Sequence, residues 1–206
     1  MKNLVTFIFG LLLLGISAAL PGARVHAQAA AQSGLPRSHE AMATKADDAV
    51  SKTRANALTA FEKIKTLVGD WEARDGTSYG GKPIRVSYKP ASGGTSLMET
   101  YYQVGADYID MVTLYHLDGD ILMLTHYCDV NNQVRMRAEP ATGDMKTLNF
   151  NYLDATNLSV SNKEVINKLE MTFQDKDHFT QAWTWRITEK GKTHDEKAVY
   201  NFVRRK

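Results

Sequence analysis

The sequence predicts an all-β protein: a roughly ten-stranded antiparallel up-and-down barrel preceded by one N-terminal helix. Three observations carry this. Hydrophobic spacing of three and four residues stops at Gly69, and from there the period is two almost to the end of the chain. About ten short stretches of alternation follow at regular spacing. Turn sequences separate them: Gly80-Gly81, Ser92-Gly93-Gly94, Asp118-Gly119, Asn131-Asn132, Gly143-Asp144 and Lys190-Gly191-Lys192. A sheet of that many strands curls, and closing it into a barrel removes its edges.

The chain opens with Lys2, then runs from Val5 to Leu20 without a charge. Pro21-Gly22 breaks the run, and Val25-His26-Ala27 offers the small residues a signal peptidase reads. That order predicts a cleavable export signal over residues 1–27. The apolar run is shorter than the ~20 residues a spanning helix needs, so no stable membrane anchor is expected after cleavage. The expected location is periplasmic or secreted. Residues 28–46, rich in Ala, Gln, Ser and Thr with no apolar period, read as a flexible leader.

Residues 47–68 read as a helix, because Ala57, Leu58, Phe61, Ile64, Leu67 and Val68 recur at helical steps. Gly69 is a suitable stop. The barrel domain is then 69–206. Its strands are expected at 70–74, around Ile84, Val86 and Tyr88, and at 96–103, 108–117, 120–129, 133–138, 147–153, 168–174, 179–188 and 194–203.

Charge narrows the partners. The whole chain has 25 Lys and Arg against 23 Asp and Glu; removing residues 1–27 takes Lys2 and Arg24 and no acid, leaving 23 of each. A neutral surface lacks the basic excess that binds phosphate. Neither nucleic acid nor an anionic membrane is an expected partner. Cys128, the only cysteine, leaves no internal disulfide and reads as a small buried apolar residue.

Two hairpins can be registered by hand. With Asp118-Gly119 as a two-residue turn, Leu117 faces Asp120, Tyr115 faces Leu122 and Met111 faces His126. With Asn131-Asn132 as the next, Cys128 faces Arg135 and His126 faces Arg137. One face then holds Met111, Thr113, Tyr115, Leu122, Leu124, His126, Cys128, Arg135 and Arg137. The other holds Val112, Leu114, His116, Ile121, Met123, Thr125, Tyr127, Val134 and Met136, and is the cleaner core. If the first face lines a cavity, Arg135 and Arg137 beside His126 and Tyr115 could hold the carboxylate of an amphiphile. The alternative is that this face is outward and the arginines are solvated. A register error of one residue inverts every such assignment.

The segment Leu67-Val68-Gly69-Asp70-Trp71 resembles the L-x-G-x-W opening of lipocalin-like (calycin) barrels. The strand number is closer to the fatty-acid-binding and nitrobindin branches. The run Tyr115–Asp120 with Leu124–Cys128 also resembles exported bacterial proteins of no known function. The resemblance implies that Trp71 closes one barrel end and that the interior has room for a small apolar ligand. The haem-binding branch follows its Trp with G-x-G, a pattern that Glu72-Ala73-Arg74-Asp75-Gly76 lacks.

No catalytic motif stands out. His126 and Cys128 share a strand face but make a short ligand set for zinc, and there is no G-x-S-x-G. No catalytic residue, metal site or cofactor is expected. Trp183 and Trp185 share a face with Phe179 and Gln181, as core or as a stacking platform at a barrel mouth. The expected function is an exported binding protein for a small hydrophobic or amphipathic ligand. Its candidate binding residues are Tyr115, His126, Arg135, Arg137 and Trp71. Two alternatives remain open: an isomerase or hydrolase using His126 as general base, and an interaction module with a filled barrel.

Overall fold

The structure is a computed structural model that describes residues 38–73, 83–105, 108–140, 143–158 and 164–206, with side chains from residue 48 onward. The expected export signal, the start of the leader and the Gly80-Gly81 turn lie outside the described residues.

Helix α1 (Ser38–Lys65) precedes ten strands. They are β1 (Gly69–Ala73), β2 (Ile84–Ala91), β3 (Ser96–Gln103), β4 (Met111–Asp118) and β5 (Ile121–Tyr127), then β6 (Gln133–Ala138), β7 (Thr147–Thr156), β8 (Glu164–Phe173), β9 (His178–Glu189) and β10 (Lys192–Arg204). Each strand pairs antiparallel with its neighbours in sequence, and β1 pairs with β10 to close the barrel.

The helix begins earlier than its apolar period, at Ser38 within the stretch read as leader. Ala, Lys, Glu and Met over those residues favour a helix without needing an apolar face. Further along, Ala57, Ala60, Phe61 and Ile64 are buried while Leu58 and Val68 are exposed. The stripe therefore runs through Ala60, on the same side as Ala57 and Ile64, and passes Leu58 by. Beyond Lys65 the chain tightens, with Thr66, Leu67 and Val68 each donating to the carbonyl three residues back.

At this end the barrel is shut. The Trp71 indole is fully buried and donates from Nε1 to the Leu67 carbonyl at 2.7 Å. The Arg204 guanidinium lies 4.1 Å above the Trp71 ring and donates to the carbonyls of Val68 (2.9 Å), Thr66 (3.0 Å) and Lys176 (3.0 Å). One cation thus satisfies carbonyls that the helix end would leave bare and binds the last strand to the first. Gly69 is needed here: its φ is +128°, and a Cβ would sit 2.9 Å from Arg204 Nη1. α1 packs on β4 and β5 at the same end.

Both hand-built hairpins shift, with opposite consequences. In the first, Gly119 and Asp120 are the turn residues, Gly119 at φ +60°, and Asp118 pairs with Ile121. The partner of Tyr115 becomes Leu124 instead of Leu122, a slip of two that preserves every face. The second turn has three residues, Asp129, Val130 and Asn131, with Asn131 left-handed at φ +67° and Cys128 bonded to Asn132. His126 then faces Val134, not Arg137, and Thr125 faces Arg135. That slip is odd, so β6 turns over. Val134 and Met136 point inward, and Arg135 and Arg137 are exposed on the outer surface.

On β4 and β5 the face expected to be the cleaner core is the outer one. Inside lie Thr113, Tyr115, Leu122, Leu124 and His126, all buried.

Candidate functional site

Three cross-strand neighbours put a row of polar side chains inside the barrel. Glu99 on β3 pairs with Thr113 on β4, which pairs with His126 on β5. Glu99 is 1 % exposed. Its Oε1 accepts from Tyr88 (2.9 Å) and Gln181 Nε2 (2.8 Å), and its Oε2 accepts from Tyr115 (2.8 Å). Gln181 also donates to the Tyr88 hydroxyl and accepts from Trp183 Nε1 at 3.2 Å. None of the groups that hydrogen-bond the carboxyl carries a charge. Burial pushes the Glu99 pKa up, while hydrogen bonds from Gln181, Tyr115, Tyr88 and Thr113 hold it back. Burial, then the Glu99 charge, raises the phenols of Tyr88 and Tyr115 well above their usual range, so both remain donors.

His126 sits at the far end of this row. Its Nδ1 is 2.9 Å from Thr113 Oγ1, and its ring lies against Trp183 with centroids 5.1 Å apart. Nε2 is buried and has no hydrogen-bond partner among the described residues. The Thr113 hydroxyl also hydrogen-bonds the Glu99 carboxyl, so it stands between the two groups. Thr113 Oγ1 either accepts from Nδ1–H or donates to Nδ1, and Nε2 is an acceptor or a donor accordingly.

Nε2 borders a cavity at the barrel end opposite α1. Its lining includes Tyr101, Met111, Thr113, His126, Cys128 and Ile166, then Trp183, Trp185, Tyr200, Asp129 and Glu164. It is small, about 30 Å³, room for a water-sized group and little more. The Tyr101 hydroxyl, also buried, pairs with that of Tyr200, whose ring packs edge-on to its own at 6.0 Å. The rest of the interior is filled by side chains such as Phe150, Phe179, Phe202 and Leu169.

Burial lowers the His126 pKa to about 4. The sign of its effect on folding follows. The unfolded chain takes up the proton near pH 6.5 and the folded one near 4, so stability falls as pH drops through that window. Between pH 7.5 and 5 the wild type is expected to lose about 2 kcal/mol more than His126→Leu, as read by urea unfolding at both pH values. Equal losses in the two proteins would show that His126 does not titrate as its burial requires.

The other expected binding residues disperse. Tyr115 faces Glu99 in the middle of the barrel, and Trp71 is part of the shut end. Arg135 is paired on the outside with Asp154, Nε to Oδ1 at 2.7 Å. Arg137 borders a surface groove between α1 and the β5–β6 edge. Of the five, His126 alone lines the end cavity. Cys128 lines it too, but burial pushes its thiol up to about 12, far from a reactive thiolate. Trp183 and Trp185, on the inner face of β9 as expected, form one wall. Glu99, Tyr101 and Tyr200 escaped the sequence reading, since an isolated Glu or Tyr in a strand carries no sign of what lies across the barrel.

The chain matches no protein-family model, and no curated protein matches it.

Proposed function

We propose that this is a lipocalin-like binding protein that works outside the cytoplasm and holds a small amphipathic ligand in the end cavity, without catalysis. One observation carries the reading. The buried Nε2 of His126 has no hydrogen-bond partner among the described residues, and His126 lines the cavity beside the Tyr101–Tyr200 hydroxyl pair. A buried polar group left without a partner costs about 1–3 kcal/mol, so a ligand that hydrogen-bonds Nε2 is favoured over one that cannot. Met111, Ile166, Trp183 and Trp185 supply the apolar contacts.

The cavity has room for a small polar headgroup, and the filled interior leaves no place for a long-chain lipid. Binding is favoured over catalysis because a histidine titrating near 4 is a weak base at neutral pH, and its Nδ1 is committed to Thr113. The export pattern of residues 1–27 supports the location, and the Leu67–Trp71 segment leading into a closed ten-strand barrel supports the lipocalin-like assignment.

The test is a titration of ¹⁵N-labelled protein with n-butylammonium, n-butanol and butyrate, followed by the indole N–H signals of Trp183 and Trp185. At least one probe is expected to shift both signals saturably, and His126→Leu to weaken that binding about tenfold with the barrel spectrum intact. Trp185→Ala serves as a second variant on the cavity wall. No saturable shift with any probe, or shifts confined to other tryptophans, would overturn the reading.

A further inference from the structure

We propose that Thr113 sets the hydrogen-bonding sense of the barrel-end cavity, because the buried Glu99 carboxyl and the His126 imidazole compete for its single hydroxyl hydrogen. The coupling exists whether or not a ligand is held there.

The geometry is a row of three. Glu99, Thr113 and His126 are cross-strand neighbours on β3, β4 and β5. They are 1 %, 2 % and 4 % exposed, so bulk solvent does not relieve the competition. Thr113 Oγ1 lies 2.9 Å from His126 Nδ1 and also hydrogen-bonds the Glu99 carboxyl. A hydroxyl donates once and accepts otherwise. Its two neighbours are not equivalent. An ionised carboxyl only accepts, whereas a neutral imidazole accepts or donates at Nδ1 according to its tautomer.

Two states of the row follow. With the Thr113 hydrogen on Glu99, Oγ1 accepts from Nδ1–H and the cavity meets a lone pair on Nε2. With the hydrogen on Nδ1, Glu99 keeps only Tyr88, Tyr115 and Gln181 as donors, and the cavity meets Nε2–H. Nε2 has no partner among the described residues, so the balance is struck from behind, by how strongly residue 99 draws the hydrogen. The link is reciprocal: an occupant that donates to Nε2 favours the first state, and one that accepts from it favours the second. A buried carboxyl that is not on the cavity lining thus reaches, through one threonine, the atom that is.

The experiment reads the tautomer from the ¹⁵N signals of the His126 ring nitrogens, assigned by their loss in His126→Leu. It uses protein expressed from its full coding sequence, at pH 7.5 and without added ligand, in the wild type, Glu99→Gln, Thr113→Val and the double variant. Burial lowers the His126 pKa to about 4, so at this pH the signals report the tautomer of a neutral ring. Glu99→Gln trades a charged acceptor for an amide and is expected to raise the share of the Nε2–H form several-fold. With Val at position 113 the same change should leave the share where it was. If Glu99→Gln does not fold, Tyr115→Phe takes its place. Removing that donor lets the carboxyl draw harder on Thr113, so the Nε2–H share should fall, again only while Thr113 is present. A share that neither change moves overturns the proposal. So does a shift of equal size in the Thr113→Val background, which would mean that residue 99 acts on His126 by another route.

Discussion

Glu99→Leu is expected to destabilise the barrel by about 3–5 kcal/mol, because it strands three buried donors at once. Tyr88, Tyr115 and Gln181 all aim at the carboxyl, and none has water to turn to. The cause can be separated from simple loss of packing. Replacing the donors together with the acceptor, in Glu99→Leu with Tyr88→Phe and Tyr115→Phe, should recover part of the loss, since matched apolar groups cost less than orphaned polar ones. Glu99→Gln keeps one acceptor oxygen and should fall between. Urea unfolding of the four proteins decides it. A Glu99→Leu loss under 1 kcal/mol, or a triple variant worse than the sum of its parts, would remove the network from the account of stability.

The second large effect belongs to the shut end. Trp71→Ala is expected to cost about 3–5 kcal/mol, the range for removing a large buried aromatic. The ring also packs edge-on to Phe179 at 4.7 Å, and its loss takes the platform from under Arg204. Arg204→Lys tests the guanidinium separately. Lysine keeps the charge but cannot serve three carbonyls in a fixed fork, so the variant should lose about 1–2 kcal/mol in the same assay. A Trp71→Ala protein as stable as the wild type would mean the lid rests on the apolar helix face alone.

The fold was legible because it depends on periodicity and turns, which are local. The ten strands and the position of Gly69 follow from residues within a few places of one another. The faces were legible only as far as turn geometry was. At Gly119 the sequence points to a tight turn, and misplacing it by one residue on each strand kept the parity. At Asn131 the residue that takes the left-handed conformation ends a three-residue loop, and nothing in Asn131-Asn132 distinguishes that from a two-residue turn. That difference alone moved Arg135 and Arg137 from a supposed anion cage to the outside.

The site was legible in part. His126 stands on the face the first hairpin assigned it. Its partners come from farther away, and Gln181 meets Glu99 across 82 positions of sequence. A buried glutamate is chosen by what surrounds it in space, and that environment exists only once the barrel closes.

That closure has a kinetic consequence. The seam is narrow among the described residues: β1 pairs with β10 at Trp71 with Arg204 and Glu72 with Val203, and the Arg205 N–H donates to the Asp70 carbonyl beside them. Every other strand pairs with its sequence neighbour and can form hairpin by hairpin, whereas this pairing spans more than 130 residues. A chain made from its N-terminus has β1 ready long before β10 exists. Through that interval both margins of the curled sheet present unpaired backbone groups, the arrangement that lets one copy pair with another. Arg204, near the end of the last strand, is therefore the residue whose arrival ends the period of greatest risk of misassembly. Chains truncated a few residues early should aggregate more than their lost contacts alone would suggest.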